Sequence, residues 1–345
     1  MRVILRSLLM ALVFLLSVTG CQQQSGTDPY LQLSGQTMGT TWSVALRSTD
    51  AVDAARIKGG LQERLDGINA LMSTYDPASE VSRFNFQTST DWFKVSDETF
   101  QVVELAQQIS NLTAGAFDIS VGPLVDLWGF GALQPESLPP STEQIDAVTA
   151  AVGYENLQLR RAPAAIRKKI PQLRIDLAAI AKGYAVDVLA DYLDQLALTD
   201  YLVEVGGEVK MKGYRSDGTP WRIAVETPLE HARQVTTVWP LTDIAMATSG
   251  NYRNFLEIAG QRYGHTIDPL SGRPIRHQLA SVTVLDPSCA RADALATALM
   301  VMGEERAKAF CQEQQIAAYL LIYSGAKLSS YACPAFDEWQ DRFKK

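Results

Sequence analysis

The apolar positions of this chain follow two periods, and the switches between them mark its elements. Between residues 51 and 72, Leu61, Leu65, Ile68 and Leu71/Met72 recur at helical spacing. Ser73-Thr74-Tyr75-Asp76-Pro77 ends that run, since proline cannot continue a helix. Residues 97–112 predict a second amphipathic helix with Asp97 as its cap. Ser141-Thr142-Glu143-Gln144 has the form of a capping box ahead of a helix over 142–151. RADALATALMVMG, residues 291–303, predicts a strongly apolar helix stopped by Gly303. Period-two alternation predicts strands elsewhere. Residues 30–47 read as two strands meeting at a Gly35–Thr40 turn, and Tyr201–Lys212 as two strands about the Gly206-Gly207 break. Further strands are expected within 154–176 and at 219–226, 235–239, 243–248, 281–286, 316–323 and 327–332, with a short polar tail after them.

One stretch carries both periods. In RIDLAAIAKGYAVD, Arg174–Asp187, the alternation of Leu173, Ile175 and Leu177 suits a strand about to end, and Ile180, Tyr184 and Val188 have helical spacing. Asp176 lies at the junction, with Lys182 and Gly183 six and seven residues later. A helix start offers unpaired N–H groups and a partial positive charge, which favour phosphate. The same residues also fit an ordinary strand–helix unit with a surface Asp and Lys.

Three further segments hold candidate chemistry, each beside a plainer reading. Thr113–Gly131 is rich in glycine and apolar groups around Asp118 and Asp126, which suits a backbone close to a planar ligand; a tight loop plugged by Phe117 and Trp128 is the alternative. His265 in HTIDPLSGRP precedes Asp268 by three residues and suits a base near neutral pH, or a structural histidine bonded to that carboxylate. Asp293 and Thr297 are four apart on a predicted helix, so both oxygens share one face. They are hard ligands suited to Mg²⁺ but too few to fill an octahedron, and a buried Asp–Thr hydrogen bond fits as well. There is no G-x-G-x-x-G fingerprint and no P-loop.

The N-terminus changes the picture of compartment. Arg2 and Arg6 precede an apolar run ending Val18-Thr19-Gly20-Cys21, which reads as a secretory signal over 1–20 with lipid attachment at Cys21. Residues 21–29 then form the lipidated cysteine and a polar tether. Without Arg2 and Arg6 the chain keeps 29 Lys and Arg against 38 Asp and Glu, a formal charge of −9. That balance argues against nucleic acid or an anionic membrane surface as partner. Cys289, Cys311 and Cys333 remain; three is odd, no pair has C-x-x-C spacing, and a 311–333 bridge stays open. At 345 residues, 47% of them hydrophobic, the chain is ample for a sizeable core.

Eight motifs stand in order along the chain. TMGT at 37–40, STYD at 73–76, GAFDISVGPLVDLWGFG at 115–131 and IDLAAIAKGYAVD at 175–187 are followed by VGGE at 205–208, TSGNY at 248–252, HTIDPLSGRP at 265–274 and ADALATALMVMG at 292–303. Together they resemble the ApbE-type flavin transferases, over roughly residues 34–335. The resemblance implies an α+β fold related to the T-fold, with two interleaved lobes around mixed or antiparallel sheets, a catalytic domain over 30–345, and FAD in the cleft. It implies FAD contacts from Met38, Tyr75, Ala116, Phe117, Asp118, Asp176, Lys182 and Ile267. It implies a Mg²⁺ held by the Ala179 carbonyl, Asp293 and Thr297. Some relatives carry an acidic residue where Ala296 stands, so this site has one carboxylate fewer. The implied reaction is transfer of FMN from FAD to a Thr or Ser hydroxyl of another protein, releasing AMP, with His265 as base. FAD pyrophosphatase activity and non-catalytic FAD binding are the competing readings. The implied acceptors are periplasmic domains of flavinylated electron-transport subunits, such as those of Na⁺-translocating NADH:quinone reductase or Rnf type. The implied location is the inner-membrane surface of the periplasm.

Overall fold

The computed structural model describes residues 30–47, 53–131, 138–226, 235–250, 255–258, 261–325 and 327–342. The signal segment and Cys21 lie outside them, as do Asn251 and Tyr252 of the TSGNY motif. Among the described residues, no helix is long and apolar enough to cross a membrane.

Eight strands form one sheet: β1 (Tyr30–Thr37), β2 (Thr40–Arg47), β3 (Tyr201–Val205), β4 (Glu208–Lys212), β5 (Ile244–Gly250), β6 (Leu279–Asp286), β7 (Ala317–Ser324) and β8 (Lys327–Ala332). Each pairs antiparallel with the next, so the order across the sheet is the order along the chain. Alternation sends successive side chains to opposite faces, and both faces are covered. Val203, Val205, Ala245, Ala247, Val282 and Val284 enter the main core; Val209, Met211, Ile244, Met246 and Leu285 enter a second core on the other side.

The main core is closed by helices α1 (Ala54–Met72), α2 (Asp97–Leu112), α3 (Ala178–Gln195), α4 (Cys289–Met302) and α5 (Glu304–Gln314). The hairpin Trp221–Glu226/Val235–Leu241 and a C-terminal helix α6 (Pro334–Asp341) cover the other face. A smaller cluster of Leu124, Trp128, Ile145, Tyr263 and Ile267 gathers two long insertions, one between β2 and β3 and one between β5 and β6. The fold is α+β, and the two lobes interleave because the smaller is built from excursions of the larger.

Local expectations held at several caps and shifted at others. Ser141 and Gln144 form a complete capping box, and α4 ends at Gly303 with φ 74°. The cap of α2 is Ser96, whose Oγ accepts the Thr99 N–H at 3.1 Å; Asp97 sits in the first turn instead. The expected polar tail is α6, whose Phe336 is fully buried against Trp239 at 4.8 Å between ring centroids. Residues 173–177 form no strand and join no sheet. Asn85, in the unanticipated short helix Glu80–Phe86, takes both polar groups of Ile175: its Oδ1 accepts the N–H at 2.8 Å and its Nδ2 donates to the carbonyl at 2.8 Å.

Candidate active site

The site is organised by the crossing of α3 and α4. A Cβ on Gly183 would meet the Cys289 carbonyl oxygen at 2.4 Å and its carbon at 2.7 Å. These are backbone atoms that cannot swing aside, so glycine sets how closely the helices approach. That contact brings the Gly183 N–H to Asp293 Oδ2 at 3.0 Å. In a regular helix this amide is the partner of the Ala179 carbonyl four residues back. A carbonyl oxygen has two lone pairs, so the Ala179 carbonyl keeps one for a cation even while it accepts a helical bond. Thr297 stands one turn beyond Asp293 on α4 and is partly exposed.

Lys182, beside Gly183, reaches across to two carboxylates. Its Nζ is 2.6 Å from Glu208 Oε1 and 4.0 Å from Asp293 Oδ1. Glu208 and Asp293 are buried, and Glu208 Oε2 has no partner. Burial pushes both carboxyls above the ordinary carboxylate range, against the pull of Lys182. For Lys182, burial alone would lower the pKa, but the attraction of Asp293 and Glu208 outweighs it and holds the ammonium charged. Two buried carboxyl groups thus face one ammonium, and with both ionised one negative charge is in excess. That surplus, with the Thr297 hydroxyl and Ala179 carbonyl nearby, fits a hard divalent cation such as Mg²⁺. Among the described residues no cluster of three or more His, Cys, Asp or Glu could hold a metal, so an ion there would need water and substrate oxygens to complete its shell.

Two turns back this corner. A Cβ on Gly206 would come within 3.0 Å of both Lys182 Cδ and Thr40 Cγ2, and its N–H donates to the Thr41 carbonyl at 3.0 Å. The VGGE turn, the TMGT turn and Lys182 thus pack as one unit. In the β1–β2 turn both Met38 (φ 49°) and Gly39 (φ 69°) are left-handed, the geometry of a tight hairpin. A methionine held there costs about 1 kcal/mol and points to a functional constraint. Asn69 Nδ2 donates to Thr37 Oγ1 at 3.1 Å and so ties the end of α1 to this turn. The STYD segment follows directly, with Tyr75 69% exposed.

The Asp176 end of the junction docks on the glycine-rich segment. Its N–H donates to the Ile119 carbonyl at 2.7 Å, and its Oδ1 accepts the Ala178 N–H at 2.8 Å in the first turn of α3. Arg174 pairs with Asp126 at 2.9 Å. Asp118 accepts the Ser120 N–H at 2.7 Å and the Tyr154 N–H at 2.8 Å; burial raises its pKa against those bonds. Ala116 and Phe117 are buried in the main core, and Trp128 plugs the smaller one. The segment is the tight loop of the plainer reading: Phe117 and Trp128 plug the two cores, and the Ile119 carbonyl beside Asp118 accepts the Asp176 N–H.

Trp128 connects this segment to HTIDPLSGRP through its Nε1, which donates to the Gly272 carbonyl at 2.8 Å. Ile267 pairs with Pro274 and Asp268 with Arg273, and Asp268 Oδ1 accepts the Leu270 N–H at 3.0 Å within the turn. His265 is partly exposed and lies edge-on to Phe130, ring centroids 6.5 Å apart. A cavity of about 330 Å³ opens between Trp128, this hairpin, His277 and Val301 of α4.

The structure thus joins Lys182, Asp293 and Ala179 in one corner, Asp118 and Asp176 in a second, and His265 and Ile267 in a third. Continuous chain and the Trp128 bond link the last two. Met38 backs the first corner and Tyr75 lies close in chain beyond it. The sequence assigns no role to Glu208, Asp187 or Asn85. Glu208 and Asp187 did lie at the ends of motifs, VGGE and IDLAAIAKGYAVD, whose acidic residues carried the available signal.

Residues 38–320 match the model of the ApbE family. The FAD:protein FMN transferase of Vibrio cholerae serotype O1 is 43% identical over 333 residues, covering 96% of this chain and 98% of that protein. The enzyme of the same name from Escherichia coli K12 is 39% identical over 306 residues, covering 88% and 87%. The solved structure of the flavin transferase ApbE from Vibrio cholerae superposes with a TM-score of 0.83 at 42% identity, over 90% of this chain and 99% of that one. The apo flavinyl transferase ApbE of Pseudomonas stutzeri gives 0.81 at 37%, over 90% and 96%. With the motifs, the fold and these matches in agreement over most of its length, the chain belongs to the ApbE family.

Proposed function

We propose that this protein transfers FMN from FAD to a threonine or serine hydroxyl of a target flavoprotein subunit and releases AMP. The observation that carries the reading is the α3–α4 corner, where a buried acidic pair with one counter-ion meets hard oxygen donors. Flavin transfer as such is the activity in the names of the relatives; the acceptor hydroxyl and the metal are the further content of the proposal. Asp293, the Thr297 hydroxyl and the Ala179 carbonyl would hold Mg²⁺, which when bound supplies charge neutralisation at the pyrophosphate. Lys182 adds a cation beside it. Met38, Tyr75, Ala116, Phe117, Asp118, Asp176 and Ile267 orient the dinucleotide. The acceptor oxygen attacks the FMN-side phosphorus, a new P–O bond forms, and the P–O bond to AMP breaks with its electron pair leaving on AMP. The hydroxyl proton goes to His265, because a free hydroxyl is a poor nucleophile at neutral pH.

The proposal extends to location. Cleavage before Cys21 and lipid attachment there would tether the enzyme to the inner membrane, facing the periplasm, through residues 21–29. Subunits of Na⁺-translocating NADH:quinone reductase or Rnf type on the same surface would then meet it at raised effective concentration. The test incubates the chain with FAD, Mg²⁺ and such an acceptor domain, following acceptor mass and AMP together. One FMN per acceptor with matching AMP, both lost in Asp293→Ala, is the expected result. AMP without acceptor labelling would replace the transferase by a pyrophosphatase.

A further inference from the structure

Lys182 poses a problem for its own site. An ammonium 4.0 Å from Asp293 Oδ1 is a competitor for the carboxylate that a divalent cation needs. The side chain is long and flexible enough to close that gap, and in a buried setting the attraction is strong. What stops it is Glu208, whose Oε1 takes the ammonium at 2.6 Å. Glu208 is the first residue of β4, directly after the Gly206-Gly207 turn that packs on the Lys182 stem. Its backbone position is therefore fixed by the sheet and its reach by the turn.

We infer that Glu208 is a positioning residue that holds the Lys182 ammonium away from Asp293 and so reserves Asp293 for the divalent cation. The unpartnered Glu208 Oε2 is consistent with this role: the carboxylate is kept in a buried place where it serves one partner only. The inference rests on the proposed cation site at Asp293, Thr297 and Ala179.

The test measures Mn²⁺ binding to the full-length chain by electron paramagnetic resonance of free Mn²⁺, without FAD. Variants are Glu208→Gln, Lys182→Met, the double variant and Asp293→Asn, each checked for native circular dichroism. In Glu208→Gln the released ammonium closes on Asp293, and Mn²⁺ affinity falls about tenfold or more. Removing Lys182 in the same chain restores it to near the wild-type value, and Lys182→Met alone binds at least as tightly as wild type. A purely structural role would lower melting temperature in Glu208→Gln without a rescue of Mn²⁺ binding by Lys182→Met. Wild-type affinity in Glu208→Gln, with Asp293→Asn losing the ion, would overturn the inference and leave the cation site standing. Unchanged binding in Asp293→Asn would overturn the cation site and the inference with it. Should Glu208→Gln not fold, the double variant and Lys182→Met decide: weaker binding in either overturns the inference.

Discussion

Two acidic junctions lie on the same pair of helices, and they differ in how completely they are satisfied. At one, Asp187 of α3 meets the start of α4. Its carboxylate accepts from four donors: Lys210 Nζ at 2.7 Å, Ser288 Oγ at 2.9 Å, and the Cys289 and Ala290 N–H groups at 3.0 Å. Both oxygens are used, one lysine balances one carboxylate, and two orphan amides of a helix N-terminus are capped. At the other, one turn back on α3, Lys182 lies 2.6 Å from Glu208 Oε1 and 4.0 Å from Asp293 Oδ1, and Glu208 Oε2 goes without a hydrogen-bond partner. The first junction is closed and holds the helices together. The second, with both carboxyls ionised, is one positive charge short, which is what the proposed cation site requires. Satisfaction, rather than acidity, separates structure from chemistry here.

The sharpest way to break this contrast is Asp293→Ala. If Asp293 supplies the carboxylate of the proposed cation site, its loss should cost about 3 kcal/mol or more in the transition state, about 100-fold or more in FMN transfer, with little change in melting temperature. A variant with near wild-type turnover would remove the second junction from the chemistry. Next comes Gly183→Ala, whose Cβ would press on the Cys289 backbone. Stability should fall by about 1–3 kcal/mol in urea denaturation, and displacement of Asp293 should add a loss of up to roughly 100-fold in rate. Equal stability and rate would mean that the helix crossing is looser than this contact implies.

Asp187→Ala should do the reverse of Asp293→Ala. Removing the carboxylate strips Lys210 of its partner and uncaps α4, for about 2–3 kcal/mol of stability, while KM for FAD and kcat stay within a few fold below the melting transition. A large rate effect at full occupancy of the folded state would erase the distinction between the junctions. Lys168 offers the smallest and most specific check, because it is a buried cation satisfied by carbonyls alone. Its Nζ donates to the Gln87 carbonyl at 2.9 Å and, at 3.4 Å, to those of Asn85 and Pro171. Burial, aided by Arg174, lowers its pKa to about 8 from 10.5. Above about 8 the folded chain sheds this proton while the unfolded chain keeps it to 10.5, so the unfolded state binds more protons and stability rises with pH across that window. Lys168→Met should lack the rise. Melting curves of the two proteins that stay parallel from pH 8 to 10.5 would count against the buried, depressed lysine.

The sequence by itself determined the elements and the motifs. Helical spacing over 51–72, 97–112 and 291–303 and alternation along the strands report burial on one face or two, a local property written in every third or second residue. The identities of Asp176, Lys182, Asp293 and Thr297 were legible because motifs keep reactive residue types in fixed order. Three things were decided only in the tertiary structure. Gly183 looks like any helix-weakening glycine until α4 passes 2.4 Å from where its Cβ would be. The segment 173–177 alternates like a strand, yet both backbone groups of Ile175, at its centre, bond the Asn85 side chain ninety residues earlier. Glu208 and Asp187 carry the same charge at similar motif ends, and only the count of donors around each tells them apart. Periodicity records which side of an element is buried; which distant group lies against it depends on how the elements pack, and no local pattern encodes that.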